Sequence, residues 1–93
     1  MSKQLIKLDD YGLLTFSTTT QALKAEKVLH RSGAEYLVIP IPREISASCG
    51  LAVKTRLESL AAQRELLQNE QVRVEAAYHI RPQGKAWEVI PIE

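Results

Sequence analysis

The 93-residue chain is long enough for one modest hydrophobic core and too short for two. Twelve Lys plus Arg against eleven Asp plus Glu leave a net charge of +1, so no overall field recruits nucleic acid or an acidic membrane surface. A single cysteine excludes an intramolecular disulfide and suits a reducing compartment. With no apolar leader after Met1 and no membrane-length apolar run, a cytoplasmic protein is predicted.

In chain order, residues 1–10 set Leu5, Ile6 and Leu8 between charges and read as a loose arm, with a short edge strand as the alternative. Tyr11–Phe16 has the length and apolar content of a buried strand. Thr18 and Gln21 then fit a capping box opening a helix that runs to Ser32. Its Ala22, Ala25, Val28 and Leu29 share one face, and Gly33 supplies the stop. Ala34–Ile41 is predicted as a strand whose Pro40 points to an edge position, and Leu51–Lys54 as the strand after it. Thr55 and Glu58 form a second capping box for a helix to about Asn69, burying Leu57, Leu60, Ala61 and Leu67. Val72–Ile80 alternates like a half-buried strand, residues 81–85 read as a turn, and Ala86–Ile92 as a possible further edge strand.

This order predicts an α+β, ferredoxin-like βαββαβ fold: an antiparallel sheet with two helices on one face and a possible extra C-terminal strand. One domain over residues 1–93 is expected, with its core at about 11–80 and residues 81–93 as a tail or edge strand. The other sheet face is left bare unless the tail bearing Trp87 or a partner covers it. A homodimer through that face or the C-terminal strand is therefore predicted.

The chemistry is crowded into one loop, Pro42-Arg43-Glu44-Ile45-Ser46-Ala47-Ser48-Cys49-Gly50. Pro42 has no N–H and halts the incoming strand. Gly50 can take φ > 0 and let backbone N–H groups approach the sulfur. Arg43, Ser46 and Ser48 offer a cation and two hydroxyls, company that favours thiolate over thiol. Cys49 as a small packed hydrophobe is the alternative. Cys49, His30 and His79 are the whole set of soft metal ligands and no two have ligand spacing, so neither a metal nor another cofactor is predicted. Both histidines are expected to be solvated. Five aromatic residues and balanced charge give no nucleic-acid surface.

The run Pro42-Arg43-x-x-Ser46-x-x-Cys49-Gly50 between two strands, with Phe16-Ser17-Thr18, Ala22, Ala25-Glu26-Lys27 and Leu29 before it, resembles the bacterial selenium/sulfur carrier-like family. The resemblance covers about residues 11–80. It implies a carrier more than a stand-alone enzyme, with Cys49 as the carrier thiol, Arg43, Ser46 and Gly50 as its loop setting, and sulfur or selenium donor and acceptor proteins as partners. A noncatalytic binding or regulatory module with a structural Cys49 is the alternative, and a redox sensor oxidised at Cys49 a third reading.

Overall fold

The computed structural model describes residues 3–46 and 49–93. Among them, five strands form one antiparallel sheet: β1 (Tyr11–Phe16), β2 (Leu37–Pro40), β3 (Leu51–Thr55), β4 (Val74–Gln83) and β5 (Ala86–Ile92). The order across the sheet is β2-β3-β1-β4-β5. Three helices accompany it: α1 (Lys3–Lys7), α2 (Thr19–Ser32) and α3 (Leu60–Asn69), the last preceded by a 3-10 turn at Leu57–Ser59. The class is α+β. Strand number and helix number both exceed those of the four-stranded, two-helix arrangement predicted, because β5 is a full strand and the N-terminal arm is helical.

The sheet has a helical face and a second face. On the helical face, Leu14, Phe16, Val53 and Ala77 pack with Ala22, Ala25, Val28 and Leu29 of α2 and with Leu60 and Leu67 of α3 in one buried cluster. The α2 boundaries follow the sequence. Thr18 is the N-cap, with the Gln21 N–H donating to its Oγ1 at 3.2 Å, and Gly33 takes φ 75°, the left-handed conformation that ends a helix without a Cβ penalty. The reciprocal half of the capping box is not made. Gln21 Oε1 instead accepts from the Arg73 N–H at 2.8 Å, tying α2 to the segment before β4.

Gly12 lies beneath α3, where a Cβ would stand 2.9 Å from Leu60 Cδ1, so the missing side chain lets the helix sit directly on the central strand. The second helix starts later than predicted. Thr55 belongs to β3, paired with Gly12, and its hydroxyl donates to the Glu35 carbonyl at 3.4 Å, so it is not free to cap. Leu57 is half-buried and Ala61 exposed, and Gln63 fills the stripe in their place.

The second face is not bare. Tyr11, Leu13, Ala52 and Ile80 are buried there with Ile45 from the loop, and Leu8 packs against them. Leu5 of α1 is fully buried. Lys54, also on this face, donates through Nζ to the Leu8 carbonyl at 2.7 Å and the Ile6 carbonyl at 3.4 Å, and its ammonium lies 4.3 Å from the centre of the Tyr11 ring. It caps the C-terminal end of α1, where carbonyls lack partners within the helix.

The predicted turn at residues 81–85 shrinks to Gly84-Lys85, because β4 runs on through Pro82, which pairs with Trp87 of β5. Pro82 is tolerated because β1 stops pairing at Ile80, leaving that edge of β4 free of a ladder that would need its N–H. The tail thus widens the sheet rather than covering a face, and Trp87 is 44% exposed.

Candidate functional site

The loop between β2 and β3 is closed at its base by the Ile41 N–H donating to the Gly50 carbonyl at 2.9 Å. A turn over Pro42–Ile45, held by the Ile45 N–H on the Pro42 carbonyl at 3.0 Å, sends the Ile45 side chain into the second-face cluster. Cys49, four residues on, goes to the other side and packs in the helical-face cluster. The loop therefore straddles the end of the sheet and is anchored on both faces.

Cys49 is 2% exposed. The Leu51 N–H donates to its Sγ at 3.4 Å, and the thiol faces the Thr19 hydroxyl oxygen at 3.9 Å. Thr19 is the first residue of α2, so the sulfur lies beside the positive end of a fourteen-residue helix. The sulfur thus has a backbone N–H and a helix N-terminus beside it within a buried setting. The fold therefore buries the thiol.

The predicted supporting residues divide. Arg43 and Glu44 are exposed and face the second side, where they line a groove of about 330 Å³ with Pro42, Tyr11, Ile80 and Trp87. Burial first, and then the Glu44 charge, push the Tyr11 hydroxyl above its ordinary pKa, which places the Glu44 carboxylate in the surroundings of Tyr11. Arg43 is thus grouped with Trp87 and not with the sulfur. Ser46 is exposed. Ser48 lies outside the described residues. Gly50 has no positive φ, and a Cβ added to it would meet open space, so neither its conformation nor a contact requires glycine; the donor at the sulfur is Leu51.

Thr19 was not singled out by the loop's own sequence. Its only signal was membership of the Ser17–Thr20 hydroxyl run, which reads as a cap. His79, expected to be solvated, is half-buried and its Nε2 lies 2.7 Å from Asp10 Oδ1, joining β4 to the approach to β1. The described residues hold no group of three or more His, Cys, Asp or Glu side chains placed for a metal ion. No helix among them is long and apolar enough to cross a membrane.

The family model described as "Putative Se/S carrier protein-like" matches residues 11–79. The chain belongs to the Se/S carrier protein-like family. The match runs from the first residue of β1 into β4, so the family segment contains the whole Cys49 loop, α2 and α3, while α1 and β5 fall outside it. No curated protein and no solved structure matches the chain. For this carrier-like chain, the one cysteine lies inside the family segment, with a backbone donor on its sulfur.

Proposed function

We propose that the protein carries sulfur or selenium on Cys49 between a donor protein and an acceptor protein. The observation that carries this reading is the family match over residues 11–79, which includes the chain's single cysteine. In the sulfur case the Cys49 thiolate attacks the outer sulfur of a donor persulfide. The donor S–S bond breaks, the donor cysteine leaves as thiolate, and Cys49 becomes a persulfide; an acceptor thiolate repeats the exchange and frees Cys49. No net oxidation occurs. With no second cysteine in the chain, an intramolecular thiol cannot strip the cargo. The Leu51 N–H and the start of α2 are the groups that would steady the sulfur anion, and Arg43 and Ser46 mark the exposed side of the same loop.

The reading extends to a ferredoxin-like split βαβ core with β5 as an addition, supported by the position of β1 between β3 and β4. Association as a homodimer would use the C-terminal strand β5 and Trp87, since α1 and Ile45 occupy much of the second face.

The near-complete burial of Cys49 favours one competing reading, a binding module in which the thiol only packs. Intact mass of protein isolated without reductant, and again after exposure to a persulfide-generating enzyme, separates the two. The carrier gains the mass of one sulfur atom at Cys49, and Cys49→Ser gains none while keeping its fold. A wild type that takes up no sulfur overturns the carrier reading.

A further inference from the structure

We propose that the groove between α2 and the outer edge of β2 is where a partner protein docks, by an extended chain segment that adds to β2 as a further strand and brings a lysine or arginine to Glu26. The partner's identity as sulfur donor or acceptor rests on the carrier reading. The mode of binding rests on the strand edge and the groove beside it.

β2 is an outer strand of the sheet, paired with β3 on one side alone. The Ile41 N–H donates to the Gly50 carbonyl, and in the same register Leu37 and Ile39 turn their backbone groups towards β3. Val38 and Pro40 therefore turn theirs outward, where no partner meets them among the described residues. Pro40 has no N–H, so this edge presents the Val38 N–H and the Val38 and Pro40 carbonyls. That set fits the backbone of one extended segment, added as a peptide adds to an open sheet edge. Contact at so few points is easily released, which suits a partner that must leave after each transfer.

Beside this edge lies a groove of about 650 Å³, lined by Glu26 and His30 of α2 and by Tyr36, Leu37 and Val38. Tyr36 and Val38 pack on the helical side, so a strand added to β2 sends alternate side chains to that same side, towards Glu26 and His30. Glu26 makes no ion pair among the described residues, whereas Glu35, also in the lining, is held by Arg56 at 2.6 Å. Burial, and then the Glu26 charge, push the Tyr36 hydroxyl above its ordinary pKa, which places the carboxylate in the surroundings of that ring. The groove is thus matched to a cationic side chain. It also leads to the thiol. Thr19, which faces the Cys49 Sγ at 3.9 Å, is two turns before Glu26 on α2, about 10 Å at 1.5 Å per residue. Along β2, Val38 is about 10 Å from Ile41, whose N–H holds Gly50 next to Cys49. A few further residues of partner chain therefore bring a cysteine to the end of the sheet where Cys49 lies.

Amide NMR of the isotope-labelled full-length Cys49→Ser chain, titrated with a blocked peptide of alternating valine and threonine carrying one lysine, tests the groove without any sulfur chemistry. Shifts are expected in residues 37–41 and 26–30. N-methylating one alternate set of peptide amides should abolish binding and methylating the other set should leave it, because one set faces β2 and the other faces away. Glu26→Gln should weaken the lysine peptide by about two- to fivefold, the scale of an exposed ion pair, and leave a peptide with norleucine in place of lysine unaffected. Shifts confined to β5, no shifts at all, or equal effects of the two methylations overturn the added strand. An unchanged affinity in Glu26→Gln overturns the basic partner. Shifts in residues 37–41 on concentrating the protein alone make a second copy of the chain the occupant, and overturn the proposal too. Sulfur loading is read separately on the wild type: loading without peptide binding at β2 keeps the carrier and discards the groove, whereas binding without loading keeps the groove and discards the carrier.

Discussion

The two faces of the sheet are built by different means. The helical face is a continuous apolar seam in which two long helices meet β1, β3 and β4 through a dozen buried side chains. The second face is assembled from pieces: a five-residue helix, one turn of a loop, and a lysine that holds the helix by its carbonyls. A five-residue helix has no independent stability, so α1 persists only while Leu5, Leu8 and Lys54 hold it. The lesson is that the helical face sets the global stability of the fold, whereas the second face can open piece by piece above an intact sheet.

The largest expected effect tests the helical half of this contrast. Phe16→Ala removes a fully buried ring from the seam and should cost about 3–5 kcal/mol, seen as a cooperative shift of the whole denaturant transition. A loss below about 0.5 kcal/mol, the surface range, would show that Phe16 is not core. Next comes the close approach of α3. Gly12→Ala forces a methyl to within 2.9 Å of Leu60 and should cost about 1–3 kcal/mol. Leu60→Val in the same chain should recover part of that loss, and strictly additive effects would disprove the contact.

Lys54→Met keeps most of the side-chain volume but deletes the donor to Leu8 and Ile6. It should cost about 1–3 kcal/mol, with backbone amide exchange rising first in residues 3–7 and little changed in β1. Uniform exchange across the protein would break the distinction between the faces.

The smallest effect is a pH dependence. Burial, and then Glu44, raise the Tyr11 pKa in the folded state, so the proton is held more tightly there than in the unfolded chain. That contribution is fully present below about pH 10 and is lost as pH rises through the folded-state value. In Tyr11→Phe, this part of the alkaline destabilisation should be absent from stability curves measured between neutral pH and pH 11. An unchanged alkaline limb would remove Tyr11 as its source.

What was legible in the sequence tracks which forces were local. The α2 helix could be read to within a residue because Thr18, the Ala22/Ala25/Val28/Leu29 stripe and Gly33 all act within the helix. The same cap logic failed at Thr55, where pairing with Gly12, far away in the chain, claimed the residue for β3. β2 came out shorter than Ala34–Ile41 because Glu35 is drawn off to Arg56, whose Nε donates to its Oε1 at 2.6 Å, and because Leu37–Pro40 is the stretch that pairs with β3. Arm and helix look alike in Lys3–Lys7, since burial of Leu5 and the distant Lys54 decide between them. In the site, the loop and its cysteine stood out by composition. Which face each residue enters did not, because Arg43 and Cys49 are separated by the edge of a sheet that no local pattern reveals.

The central place of β1 has a consequence for how the molecule comes into being. Leu13 pairs with Lys54 on one side and with Tyr78 on the other, so the earliest of these five strands stays open on one edge until the fourth is made. During translation α2 and the β2–β3 hairpin can form and recruit one edge of β1, but the opposite edge stays unsatisfied until β4 has emerged from the ribosome. Such long sequence separations slow folding and lengthen the time an apolar strand is exposed to other chains. By contrast, β4 and β5 close through the two-residue Gly84-Lys85 turn almost as soon as they are made. The nascent chain therefore waits on its C-terminal third, and a slowed supply of β4 should be felt first as aggregation through β1.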